Sequence, residues 1–232
     1  MRERLELNLA AIRNRIDQAC SRRRINAGAV TLVAVTKSVP VRVIKLLYDL
    51  GLRDFGENRP QSLWERAPQL PADCRWHMIG QVQTNKLKKT LPFIHLLHSL
   101  DRMSLVKALR VETAKIAEPI TALVELNLTG ETAKHGFRED ELASVWQEIE
   151  AVPNVHVKGF MAMAKLDATT QECRATFAKL REIRDQYARH SRPSHSLDLL
   201  SMGMSDDFEV AIEEGATHVR IGSALFEGLP ND

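Results

Sequence analysis

Thr31-Leu32-Val33-Ala34-Val35-Thr36-Lys37 is a short β-branched, apolar run that ends on a lysine, and such a run reads as a fully buried strand. Ser38-Val39-Pro40 follows, so the strand stops there and Pro40 is placed to open the next helix. In a strand-loop-helix repeat, that position faces the sheet rim where ligands bind. A lysine partly desolvated at such a rim loses its proton more readily than the free side chain, and the neutral amine attacks carbonyls. Lys37 is therefore the candidate for a Schiff base.

Before this strand, Leu5, Leu9, Ile12 and Ile16 recur at helical spacing among Arg and Glu over residues 2–24, which predicts an amphipathic first helix. After it, residues 41–50 read as a helix that Gly51 terminates. The same alternation continues, with strands expected at 53–56, 75–80, 94–99, 120–127, 155–160, 197–202 and 217–221. Helices are expected at about 59–67, 84–90, 102–117, 139–151, 169–190 and 206–214. Repeated strand-then-helix units with mostly apolar strands point to an α/β fold, a parallel (β/α)₈ TIM barrel. Only the stretch after the last strand is too short for a full helix, and the helix at 2–24 can fill that gap. An open doubly wound sheet is the competing architecture, but no GxGxxG follows the first strand. No Pro/Gly/Ser-rich linker divides the chain, so residues 1–232 are expected to form one domain.

The totals exclude several classes. The 232 residues are 44% apolar and 27% charged, enough for one substantial core that buries roughly 70% of the unfolded surface. Lys plus Arg number 32 against 30 for Asp plus Glu, a net charge of +2, which demands neither nucleic acid nor an anionic membrane. Cys20, Cys74 and Cys173 lack ligand spacing and read as reduced thiols of a cytoplasmic protein, with no zinc site or disulfide framework. His95 and His98 invite a metal reading, but three residues apart on a strand they would point to opposite faces. The charged N-terminus has no apolar core of a signal peptide, and no run approaches the roughly 18 apolar residues of a membrane span.

In such barrels the chemistry lies where the strands end. After the seventh predicted strand comes Ser201-Met202-Gly203-Met204-Ser205, with Asp206 opening a helix, and after the eighth comes Arg220-Ile221-Gly222-Ser223. Small residues and hydroxyls at helix starts offer backbone N–H donors to a phosphate, and these are the loops where barrels most often hold one. Each loop alone could be an ordinary helix cap, with Ser205 or Asp206 doing the capping. A lysine able to form an imine and a phosphate cradle across the barrel mouth suit one compact ligand, pyridoxal 5′-phosphate. Arg220 lies between them. A guanidinium facing the pyridine nitrogen keeps that nitrogen unprotonated, because arginine only donates hydrogen bonds, and the ring is then a weaker electron sink.

The motifs that match a known family are Val33 to Lys37, Phe55-Gly56-Glu57-Asn58, Trp76 to Gly80 with Gln83-Thr84-Asn85-Lys86, His98-Ser99-Leu100-Asp101, Asn127 to Lys134 with Gly136, Gly159-Phe160-Met161, Leu200 to Ser205, and Val219 to Ser223. On these, along nearly its whole length, the chain resembles the pyridoxal phosphate homeostasis proteins, which are similar to the barrel domain of alanine racemases and ornithine decarboxylases. The resemblance implies that Lys37 carries pyridoxal phosphate and that Ser201, Gly203, Gly222 and Ser223 hold its phosphate. It also implies that Arg220 faces the pyridine nitrogen, that Asn58 lies beside the ring, and that Met204 lies near the phosphate. Lys134 matches a family lysine associated with moving the cofactor on or off. His77 matches a family position too, though a strand histidine packed beside Trp76 is more often structural. Val39 departs from the pattern where the family commonly has a second lysine.

The expected role is therefore a monomeric carrier in vitamin B6 homeostasis that hands its cofactor to apo-enzymes and has no catalytic residues of its own. The alternative is a fold-type III racemase or decarboxylase. Racemase relatives add a tyrosine base from a separate domain, whereas this chain ends eleven residues after Ile221 and has only Tyr48 and Tyr187, both within predicted helices. A cofactor-free lysine aldolase is a third reading, and it would need an acid/base partner beside the imine and a sugar phosphate for the two loops.

Overall fold

The run that ends at Lys37 forms β1 (Thr31–Val35) in a computed structural model that describes residues 1–131, 135–192 and 195–229. Val33, Ala34 and Val35 are buried, as befits a strand covered on both faces. β1 pairs in parallel with β2 (Asp54–Glu57) on one side and β8 (His218–Ile221) on the other, with Ala34 opposite Phe55 and Val33 opposite Arg220. β3 (Arg75–Met78), β4 (Leu96–Leu100), β5 (Ile120–Glu125), β6 (Val155–Met161) and β7 (Leu199–Ser201) complete a closed barrel in sequence order. This is the predicted α/β TIM barrel.

The predicted strands differ from the observed ones by a few residues at their ends. β7 is the shortest; Leu197 and Met202, at the edges of the expected run, are buried outside it, Met202 still donating its N–H to the His218 carbonyl at 3.1 Å. Apolar residues continue past a strand wherever the adjoining turn is also covered, so the apolar run overstates the strand.

The outer ring consists of α2 (Val41–Asp49), α3 (Pro60–Arg66), α4 (Leu87–Thr90), α5 (Met103–Thr113), α6 (Glu139–Glu150), α7 (Thr170–Ala188), α8 (Phe208–Glu214) and the single turn α9 (Ser223–Phe226). Part of the helix expected at 84–90 is a 3₁₀ turn before α4. α8 begins at Phe208 rather than Asp206, with a turn over 205–207 before it. α1 (Arg2–Arg23) lies beside α8 and α9, where the ring would otherwise be thin. Its Leu5, Leu9, Ile12 and Ile16 are buried, each contributing about 1.5–3 kcal/mol. Arg15 grips Glu209 with two hydrogen bonds of 2.9 and 2.8 Å and sits 4.4 Å over the Phe208 ring. Asn8 donates to the Leu225 and Glu227 carbonyls at the end of α9.

Two apolar layers result. The large one fills the space between strands and helices; the small one lies among interior-facing strand residues and is built on Leu96, Leu123 and Met161. Barrel interiors are usually filled with branched apolar side chains. Here the buried set also includes Asp54, His77, His98, Ser201 and Arg220.

Gly159 shows why Gly159-Phe160-Met161 begins as it does. At φ +149 on β6, an added Cβ would lie 1.7 Å from the Leu199 carbonyl oxygen on β7. Gly159→Ala must therefore push β6 from β7 as well as strain the backbone. It is expected to cost about 3 kcal/mol or more, read as a lower urea midpoint; an unchanged midpoint would contradict this geometry.

Candidate functional site

The end of β1 is held by a buried clamp. Arg66 of α3 donates from Nη1 to the Thr36 carbonyl at 2.7 Å and to Glu57 Oε1 at 2.5 Å, while the Thr36 hydroxyl donates to the same carboxylate oxygen at 2.5 Å. Glu57 is fully buried, and its Oε2 has no hydrogen-bond partner among the described residues. The clamp fixes the backbone one residue before Lys37, and buried Val39 anchors it two residues after. Lys37 itself is exposed at the rim. The partial desolvation expected of it is thus not supplied by the surrounding protein, because the clamp buries Thr36 and leaves the next side chain facing outward.

Lys37 opens onto a cavity of about 430 Å³ at the C-terminal end of the barrel. Asn58, Met204, Arg220, Gly222 and Ser223 line the same cavity. Asn58 is set in place by a close approach: a Cβ on Gly80 would fall 2.3 Å from the Asn58 carbonyl oxygen, so only glycine lets the β2 and β3 loops stack.

Two residues expected at the phosphate do not line the cavity. Ser201 is fully buried in the barrel interior, where its hydroxyl receives a hydrogen bond from Arg220 Nη1 at 2.6 Å and pairs with His98 Nδ1 at 2.8 Å. Gly203, at φ +92, packs against Phe208 and Ala211 of α8. The alternation of β7 turns Ser201 inward, and the turn that follows carries Gly203 beneath the helix.

Ser205, weighed from sequence as a helix cap or as part of a phosphate loop, does not cap α8. Its hydroxyl accepts the N–H groups of Gly222 (3.4 Å) and Ala224 (3.3 Å) across the loop after β8 and borders the cavity. Asp207, not Ser205 or Asp206, accepts the Met204 N–H, at 2.5 Å. Spacing along one loop cannot reveal that partnership, since the donors come from another loop. The Gly222 and Ala224 N–H groups and the Ser205 hydroxyl are thus gathered at the β7 and β8 ends, the N–H groups spent on the hydroxyl oxygen; N–H and O–H donors are the chemistry that suits a phosphate.

Arg220 is 4% exposed; besides Ser201 it donates to the Ala162 carbonyl at 3.2 Å. Burial pushes its pKa down to about 10 against the pull of Glu125 and Asp207. Glu125, buried at the end of β5, is pushed up to about 7 by desolvation and by the charge of Asp101, opposed by Arg220 and Arg102. Asp101 is itself held by Gln81 and Arg102, each at 2.6 Å.

The two tyrosines lie elsewhere. Tyr48 donates to Asp73, and Tyr187 packs 4.7 Å from the Trp146 ring. Lys134 lies outside the described residues. His95 and His98 do not diverge as expected: their ring centroids lie 5.7 and 5.1 Å from that of His77. His95 precedes β4, so strand alternation does not govern it. Among the described residues no His, Cys, Asp and Glu group is arranged to hold a metal, and no helix is long and apolar enough to cross a membrane.

The profile of the alanine racemase N-terminal domain matches residues 7–230. The pyridoxal phosphate homeostasis protein of Aquifex aeolicus is 39% identical over 219 residues, covering 94% of this chain and 95% of the relative. Among solved structures, PipY of Synechococcus elongatus with PLP bound superposes with a TM-score of 0.84 at 29% identity, covering 96% of this chain and 99% of that one. Alanine racemase of Corynebacterium glutamicum gives 0.71 at 15% identity, with 99% of this chain matched to 63% of the enzyme, a likeness of fold alone.

Two outcomes test this geometry. Arg66→Ala leaves the Glu57 carboxylate buried without its cation and should cost about 3 kcal/mol by urea unfolding. A carboxyl whose pKa is raised on folding stabilises the fold fully below its ordinary value of 4.5 and loses that contribution as pH rises through about 7. Glu125→Gln should therefore lose less stability than the unaltered protein between pH 5 and pH 8. Thermal melts that fall in parallel for both proteins would refute the buried, proton-binding Glu125.

Proposed function

We infer, from the premise that this chain belongs to the alanine racemase N-terminal-domain family and within it to the pyridoxal phosphate homeostasis proteins, that it binds pyridoxal 5′-phosphate in the cavity at the barrel rim. We propose that Lys37 Nζ would hold the aldehyde carbon covalently, the aldehyde oxygen leaving as water, that Asn58 would flank the ring, and that Arg220 would face the ring nitrogen. Gly222 and Ser223, joined by Ser205 and Met204, take the phosphate end. Ser201 and Gly203 support these loops from beneath. The protein acts in the cytoplasm as a monomer that holds the cofactor and supplies it to apo-enzymes, and Lys134 assists its transfer.

The observation that carries this reading is one cavity bordered by an exposed primary amine, a buried guanidinium and the Ser205 hydroxyl with the Gly222 and Ala224 N–H groups converging on it. Those three features match an aldehyde, a pyridine nitrogen and a phosphate in chemistry and in number. The cofactor, when bound, supplies an electrophilic carbon conjugated to an electron-withdrawing ring. Arg220 has only donors to offer, so it stabilises an unprotonated ring nitrogen and restrains that withdrawal. The clamp on Thr36 and Glu57 keeps the Lys37 backbone in register with the cavity. Tyr48 and Tyr187 stand away from it, which favours a carrier over the racemase or decarboxylase alternative.

Adding pyridoxal phosphate to the purified protein should produce a visible band that borohydride abolishes and that Lys37→Ala lacks. The loaded protein should restore activity to an apo-enzyme in the presence of a trap for free cofactor, and should elute as a monomer. Racemisation or carbon dioxide release from amino acids at about 1 s⁻¹ or faster, an ordinary enzyme rate, would overturn the carrier reading. A band that survives in Lys37→Ala would overturn the assignment of the amine.

A further inference from the structure

The polar side chains inside the barrel form a continuous series. Arg220 Nη1 lies 2.6 Å from Ser201 Oγ, Ser201 Oγ 2.8 Å from His98 Nδ1, His98 Nε2 2.9 Å from His77 Nδ1, and His77 Nε2 3.0 Å from Asp54 Oδ1. These residues come from β8, β7, β4, β3 and β2, so the bond between His98 and Ser201 crosses the lumen between strands that are not neighbours. At the far end Arg75 holds Asp54 with two hydrogen bonds of 2.7 and 2.5 Å and is half exposed. Arg75 and Asp54 border a separate cavity of about 420 Å³ that also contains Arg13 and Asp17. The series thus runs from the N-terminal face of the barrel to the cavity at the C-terminal rim.

The proton positions follow from the two ends. Although burial opposes it, hydrogen bonds from Arg75 and His77 hold the Asp54 carboxyl well below the usual carboxylate range, so it is an acceptor and His77 donates to it from Nε2. A ring that spends its one proton on Asp54 accepts at its other nitrogen, so Nδ1 of His77 pairs with a proton on Nε2 of His98. Burial, together with the Arg220 charge, holds His98 well below its ordinary pKa, so its ring has one proton; with that proton on Nε2, Nδ1 accepts from the Ser201 hydroxyl. Ser201 keeps a lone pair for Arg220, which can only donate. Every donor meets an acceptor, and all the bonds point from the cationic end toward the anionic end. An alternative tautomer at either histidine would set two donors or two acceptors against each other. Other titratable groups around the series are His95, beside His77, and His218, which burial pushes down to about 3; Glu125 and Asp207 act on Arg220.

We propose that Asp54, His77, His98 and Ser201 form a one-way hydrogen-bond relay that positions the Arg220 guanidinium against the cofactor cavity. The two histidines and Ser201 are positioning residues: they act on the ring nitrogen of the ligand only through Arg220. Such a chain replaces apolar packing at the centre of the barrel, and it is tolerable because each buried polar atom in it has its partner. Its consequence is that the orientation of Arg220 depends on groups at the opposite face of the barrel. The proposal rests on the cavity being the pyridoxal phosphate site.

Two measurements test it. In protein labelled with ¹⁵N-histidine and free of cofactor, long-range nitrogen–proton spectra should show His77 and His98 both neutral with the proton on Nε2. An Nδ1–H tautomer at either ring overturns the relay, whatever the protein binds. With pyridoxal phosphate as the probe, Ser201→Ala and His98→Leu should each weaken binding roughly tenfold, the scale of one charge-assisted hydrogen bond. Both should shift the visible band in the direction seen for Arg220→Lys, and the double variant should lose no more than either alone. His98→Asn, whose oxygen replaces Nδ1 as acceptor for Ser201, should recover most of the affinity and the band position. Ser201→Ala removes one atom and keeps the test decisive if His98→Leu does not fold. Full additivity, or an unshifted band in Ser201→Ala, overturns the relay; a wild-type protein that takes up no pyridoxal phosphate overturns the cavity assignment instead, leaving the tautomers to decide the relay.

Discussion

The structure depends on the pairing of its first strand with its last. Thr31 to Ala34 lie opposite His218 to Ile221 in parallel register, and this contact alone turns a row of strand-helix units into a closed barrel. Closure brings the loop that bears Lys37 next to the loop that bears Gly222 and Ser223, from opposite ends of the chain. It also places Arg220 opposite Val33, beneath the rim on which Lys37 stands. An open sheet of the same elements would leave the amine and the donor cluster on separate edges. The short β7 and the single turn of α9 make the closing segment thin, and α1 compensates by laying its apolar stripe and Arg15 against α8 and α9.

The interior solves a second problem. A lumen narrow enough to be filled by side chains is a poor solvent for ions, yet it contains Arg220, Asp54 and two histidines in edge contact. The cost is offset by pairing charges through neutral groups, so that the guanidinium and the carboxylate terminate one series of bonds and none of its members is left with two donors facing each other. Glu57 shows the other arrangement: its Oε1 is shared by Arg66 and Thr36 while Oε2 stays buried without a partner among the described residues. A buried atom of that kind makes the clamp sensitive to loss of its cation, because the remaining charge has nowhere to find water.

Much of this was legible along the chain, and for a definite reason. Strand-helix alternation, the helical stripe of Leu5, Leu9, Ile12 and Ile16, and the stop at Ser38-Val39-Pro40 are local patterns, set by spacing of two or 3.6 residues and by proline chemistry. They determined the barrel, the place of the first helix and the identity of the rim residues, since the rim of a parallel barrel is built from the residues just after each strand. Lys37, Asn58, Met204, Arg220, Gly222 and Ser223 were accessible to that reading, and they share one cavity.

Only the tertiary structure decided which way the remaining side chains face and what they meet. Ser201 and Ser205 sit in one five-residue motif, yet the first turns into the lumen toward His98 and Arg220 and the second turns to the N–H groups of Gly222 and Ala224. His77, His95 and His98 looked like unrelated strand residues until their rings met inside the barrel. Local spacing fixes the face of a strand but carries no information about the strand across the lumen. Hydrogen-bond partners from β2, β3, β4, β7 and β8 become neighbours only when the sheet closes, so the sequence by itself determined the barrel and its rim, while closure decided the polar series within it.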